Sequence, residues 1–171
     1  MRLLQHRTRF EQQPSNIKIQ WLPAISVMIA SMTPALPFIT TAPLMPPLGF
    51  MLFLGWRLLQ REIWPPWAGV ALGLFDHMWS GQPLGAGMML WSATQITITL
   101  VDQRMLWRDY AQDWMLAAWC INFYLSVELL IANHTGGHTL WFHIVPQILI
   151  SILIQPLIMR ISAHLDHWRF I

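Results

Sequence analysis

Residues 129–159 read LLIANHTGGHTLWFHIVPQILISILIQPLIM, 31 positions between Glu128 and Arg160 that contain no Asp, Glu, Lys or Arg. One polar stretch, residues 133–139 with Gly136-Gly137 at its centre, interrupts the apolar run. A helix needs roughly 20 apolar residues to cross the hydrocarbon core of a bilayer. The stretch therefore reads as the end of one membrane helix, a turn outside the lipid, and the greater part of the next helix. Two further windows free of charge, 38 positions after Lys18 and 25 after Asp76, have the same meaning. In lipid, backbone N–H and C=O groups must be satisfied internally, which leaves helices as the form for such runs.

Composition agrees. The chain has 171 residues, 55% hydrophobic and only 11% charged, whereas a soluble domain carries about a quarter charged residues. The net charge of +2 does not point to nucleic acid, because the basic residues stand in pairs between apolar runs and form no single patch. The lone cysteine, Cys120, lies inside an apolar run and forms no intramolecular disulfide. Arg2, Arg7 and Arg9 ahead of an apolar stretch imitate a signal peptide, but that stretch is too long for a secretory signal core, and Pro43 follows the candidate cleavage site. It reads as the first permanent span.

Working along the chain, apolar segments cover residues 19–42, 47–60 and 64–79. A fourth follows the turn Gly81-Gln82-Pro83-Leu84-Gly85 and ends near Val101. The last two cover residues 114–132 and 140–161. The second and third are short, and a re-entrant pair giving four spans is the competing reading. Lys and Arg are retained in cytoplasmic loops, and they decide between the two. With six spans all 10 basic residues fall on one side, at Arg2, Arg7, Arg9, Lys18, Arg57, Arg61, Arg104, Arg108, Arg160 and Arg169. Four spans would misplace Arg57 and Arg61. Six are expected, with both termini cytoplasmic. Residues 1–18 are then an inner tail, 19–161 the membrane domain and 162–171 a second inner tail. Arg57 is expected to snorkel to the interface. Trp21, Trp56, Trp64, Trp67, Trp79, Trp107, Trp114 and Trp141 fall at or near segment ends, as interfacial belts require. Residues 102–113 interleave charges with Trp107 and Tyr110 and read as a short interfacial amphipathic helix.

Within the third segment, Gly69, Gly73, Asp76 and Ser80 share one helical face. Gly69-xxx-Gly73 allows another helix to approach closely. Asp76 has two readings: a structural acceptor at the Ser80-Gly81 turn, or a contact with a partner or ligand, as acids at membrane depth often are. Glu128, on a face with Ala117, Ile121 and Tyr124, is either bonded to a neighbouring helix or to Tyr124, or a functional group. These two acids without further ionisable company make a poor proton or ion pathway. His134, His138 and His143 cluster around the last turn, but Gly136-Gly137 breaks the helical spacing and a structural zinc site wants four ligands. Ser92, Gln95 and Thr99 share a face suited to hydrogen bonds between helices. Nothing resembles a catalytic triad, a glycine-rich phosphate loop or a nucleic-acid module. No enzyme, metal or cofactor is expected.

Residues 64–85, WPPWAGVALGLFDHMWSGQPLG, resemble the rod shape-determining MreD family. There a glycine-rich span ends in an Asp, a Ser-Gly turn follows, and a Leu-Gly pair opens the next span. Here those residues are Asp76, Ser80, Gly81, Leu84 and Gly85. The resemblance continues through Asp102-Gln103-Arg104 and Trp107-Arg108, and chain length agrees. It implies a non-enzymatic bacterial inner-membrane partner of MreC, acting beside MreB filaments and peptidoglycan synthases to maintain rod shape. It also implies an all-α bundle similar to the membrane substrate-binding subunits of energy-coupling-factor transporters. The proline-rich first span and His77 match nothing in that family pattern. The alternative is a small-solute-binding membrane subunit of a transporter, which needs convergent polar groups around a ligand.

Overall fold

A computed structural model describes residues 17–33, 45–80, 85–104, 109–136 and 141–169. They form six α-helices: α1 Ile17–Ser31, α2 Leu48–Leu59, α3 Ala68–Ser80, α4 Ala86–Arg104, α5 Tyr110–His134 and α6 Val145–Arg169. A 3-10 turn, Trp141–His143, precedes α6, and no strand occurs among the described residues.

The helices alternate in direction. Trp56 on α2 donates its indole N–H to Ser26 on α1 at 3.0 Å, while Gly49 faces Ser31, so α1 and α2 are antiparallel. Gln147 donates to the Met45 carbonyl at 2.7 Å and Gln60 to Asp166 at 3.0 Å, so α6 runs parallel to α2. Gly69 meets Gln95 and Gly73 meets Gly87, making α3 and α4 antiparallel. Helix α5 starts just after α4 ends and leads back to the start of α6. The described Arg residues, at positions 57, 61, 104, 160 and 169, consequently share one half of the bundle, termed here the arginine end. Ser31, Gly49, Asp76 and Gly87 mark the other.

Helix α2 is central. Every residue from Gly49 to Leu58 is buried, as a helix apolar all round requires. Phe50 stacks on Tyr124 of α5 at 4.2 Å and meets Trp91 of α4 edge-on at 5.6 Å. Its 12 residues span only about 18 Å at 1.5 Å per residue, which explains its weak signal in the sequence.

The outer helices are inside-out by the standards of a soluble protein. On α6, Leu149, Leu153 and Leu157 are exposed, while Ser151, Gln155 and Ser162 are fully buried. Similar outward apolar stripes run along α1 (Trp21, Ile25, Ile29) and α3 (Val70, Leu74, Met78). Two helices, α5 and α6, are long and apolar enough to cross a membrane, with only 33% and 17% of their apolar windows buried.

Several expectations need correction. Arg57 does not snorkel: its side chain is 5% exposed, 3.1 Å from Asp102 and bonded to Thr99 at 3.1 Å. Trp56 and Trp64 are core residues, not belt residues. Residues 102–113 hold no separate helix among those described, since α4 continues to Arg104 and α5 begins at Tyr110. Helix α6 runs through residues 162–169, so the expected second tail is a helical extension. Residues 34–44, with Pro34 and Pro37, lie outside the described residues, as does Trp107.

Candidate functional site

The site is built on the α3–α4 contact. Without side chains at Gly69 and Gly73 the two helices meet backbone to backbone. A Cβ on Gly73 would stand 2.6 Å from the Gly87 carbonyl oxygen, and one on Gly69 3.0 Å from the Ser92 Cα. Gln95 fixes the register. Its carbonyl accepts from the Gly69 N–H at 3.1 Å and its amide donates to the Pro65 carbonyl at 2.9 Å. The Gly69 bond satisfies one of the N–H groups a helix start leaves open. Thr99 donates to the Gln95 carbonyl at 2.8 Å and receives Arg57. The Ser92, Gln95 and Thr99 face is thus directed at α3 and the arginine end.

Two turns further along α3, the Asp76 carboxyl enters a region shared by four helices. Ser31 of α1, His77, and Tyr124 of α5 are its polar neighbours. Gly49 of α2 lies beneath it, where a Cβ would be 3.0 Å from Asp76 Oδ1. Glu128 follows one turn after Tyr124 on α5 and lies within electrostatic reach of both Asp76 and Tyr124. The two acids, read separately from the sequence, therefore form one group, with the Tyr124 and Ser31 hydroxyls beside them. Both acids are half-buried.

His77 is the basic member of this group and had no assignment from the sequence. Its ring is 2% exposed and fills the space that a side chain at Gly87 would occupy. Neither ring nitrogen has a hydrogen-bond partner among the described residues. The readable signal was the pairing of Gly73 and His77, one turn apart, with a helix whose first turn holds Gly87. Tyr124, the i−4 neighbour of Glu128, was already a candidate partner of that acid in the sequence.

The remaining candidates lie apart or outside view. Ser80 ends α3 and Gly81 lies outside the described residues. Gly85 adopts φ +112° ahead of α4, a conformation that suits glycine. His134 ends α5 and is exposed; His138 is outside the described residues. Among the described residues no three His, Cys, Asp or Glu side chains converge as a metal site would require. Cys120 is buried in the core.

Searches against protein-family models, curated proteins and solved structures return no match.

Proposed function

We propose that this chain is a six-span inner-membrane protein, with both termini cytoplasmic, that acts as a non-enzymatic partner of MreC in the rod-shape machinery. The membrane part is supported by the inverted pattern on α6, where serine and glutamine face in and leucine faces out. Apolar stripes on successive outer helices make an exposed surface far larger than a monomeric soluble protein carries. Grouping of the described Arg at one end matches retention of basic residues in the cytoplasm. The two short helices fit because α2 is shielded by its neighbours and non-helical backbone at membrane depth is tolerated inside protein. A bundle related to energy-coupling-factor binding subunits belongs to the same proposal.

The scaffold part rests on residues 64–85. The observation that carries it is the α3–α4 contact, in which glycines bring backbones together and leave Asp76 at the far end, facing α1 and α5. Polar side chains in the bundle bond helix to helix, which suits a rigid platform for a partner helix. MreB and the peptidoglycan synthases would join through the same complex.

One observation favours the runner-up. Asp76 and Glu128 both lie within electrostatic reach of Tyr124, a pair that a solute- or ion-binding transporter subunit would use. Asp76→Asn and Asp76→Leu separate the readings at matched protein levels. A scaffold tolerates Asn, with cells staying rod-shaped and MreC co-purifying, while Leu leaves donors unpaired at about 1–3 kcal/mol each. Loss of shape and of MreC with Asn alone would show that the charge itself is needed, and the scaffold reading would fail.

A further inference from the structure

A cleft of about 500 Å³ opens at the arginine end between α4 and the connection from α2 to α3. Ligand sites are commonly 300–1,000 Å³, so the volume admits a small headgroup. Its walls differ in kind. On one side Ile96 and Leu100 continue the outward apolar stripe of α4, at 60% and 56% exposure. On the other stand Arg57, Arg61, Glu62 and Thr99.

Charge decides what fits. Arg57 is already matched by Asp102, and Thr99 is committed to Arg57 and Gln95. Arg61 and Glu62 are both exposed, adjacent in sequence, and take part in no ion pair among the described residues. The cleft thus offers one uncommitted cation and one uncommitted anion, with no net fixed charge. An anionic headgroup would meet Glu62 as well as Arg61. A zwitterion satisfies both.

We propose that the cleft binds a zwitterionic phospholipid with a primary ammonium headgroup, its phosphate at Arg61, its ammonium at Glu62 and its chains along Ile96 and Leu100. The inference rests on the membrane reading above, and not on the MreC assignment. An interfacial position suits it, because headgroups lie at the level where basic residues leave the hydrocarbon. Guanidinium is also the side chain best shaped for a phosphate.

The test uses the full chain in nanodiscs made with phosphatidylethanolamine, phosphatidylcholine or phosphatidylglycerol, followed by native mass spectrometry of retained lipid. Phosphatidylethanolamine should be retained over both others, since the quaternary ammonium of phosphatidylcholine has no N–H to give Glu62. Arg61→Gln and Glu62→Gln should each lower its retention about two- to fivefold, the range for one exposed ion pair. Glu62→Gln should also move the preference toward phosphatidylglycerol. Equal or better retention of phosphatidylglycerol by the unaltered chain would overturn the proposal, as would retention insensitive to both variants. Displacement by soluble glycerophosphoethanolamine at similar concentrations would overturn the lipid form and leave a free headgroup ligand. Failure of the membrane reading itself shows separately, as a chain that does not sediment with membranes.

Discussion

Replacing Gly73 by alanine tests the α3–α4 contact with the smallest possible change. The added Cβ would lie 2.6 Å from the Gly87 oxygen, 2.8 Å from the Gly87 carbon and 3.1 Å from the Met88 nitrogen. Ordinary contact begins at 3.4 Å, so the shortfall is about 0.8 Å, and all three atoms are backbone. No rotamer change relieves it; the helices must separate or slide. Alanine gains up to about 1 kcal/mol in helix preference. Overpacking a close contact costs typically 1–3 kcal/mol, and a clash with backbone belongs toward the upper end. A net loss of about 1–2 kcal/mol follows. For a chain of this size each kcal/mol moves the midpoint by roughly 2–4 °C, so a fall of roughly 2–8 °C is expected. The single cysteine, buried Cys120, supplies the assay: its reaction with a maleimide on heating in mild detergent reports opening of the core.

Gly87→Ala sharpens the test, since its Cβ would stand 2.7 Å from the Gly73 oxygen and collide with the His77 ring. Both substitutions open the same gap. Once one has separated the helices, the second should cost less, and the pair should fall short of the sum by 0.5 kcal/mol or more, as contacting sites do. An unchanged or raised midpoint in Gly73→Ala, or strict additivity in the double variant, would refute the reasoning.

Asp102→Leu strips buried Arg57 of its carboxylate and should destabilise by about 3–5 kcal/mol, whereas Arg57→Met with Asp102→Leu should recover most of that loss; the same maleimide assay reads both. Gln95→Leu removes the acceptor of the Gly69 N–H and should cost about 1–3 kcal/mol, seen as lower accumulation in membranes. Reporter fusions after Gln60 and after Gln103 should report the cytoplasm, and fusions near Gln82 and Gly137 the outside; an outside signal after Gln60 would end the six-span proposal.

The positions of the six helices were legible because charge is excluded from apolar runs and glycine and proline punctuate them. Their ends were not. Hydropathy records where a helix is apolar, while hydrogen bonding continues beyond it, so α5 starts at Tyr110 and α6 runs on to Arg169. Pro65-Pro66 delays the start of α3 to Ala68, whose N–H donates to the Pro65 carbonyl at 2.9 Å. Arg57 misled for a different reason. A basic residue near a segment end looks like an interfacial anchor until its acid is found, and Asp102 lies two helices later. The Gly69/Gly73 face was readable from spacing, but not that α4 would answer it with Gly87. Asp76 and Glu128 each read as lying near the same end of a helix running in the same direction. Their common depth was therefore available; their common azimuth, which makes them one group, was not.

That azimuth separates the two ends of the molecule. At the arginine end several polar side chains pair between elements: Arg57 with Asp102, Gln60 with Asp166, Gln95 with Gly69 and Pro65. Matched polar contacts between helices rigidify, and removing one partner harms the fold. At the Asp76 end two carboxyls face hydroxyls and a histidine whose nitrogens make no hydrogen bond among the described residues. Buried polar groups are normally satisfied, and a group left unsatisfied among the described residues has capacity for a partner. Substitutions at the arginine end should therefore act through abundance. On the proposed function, those at His77 and Glu128 should act on MreC binding at unchanged abundance, and the same loss of abundance from both ends would mean that the Asp76 group only holds the bundle together.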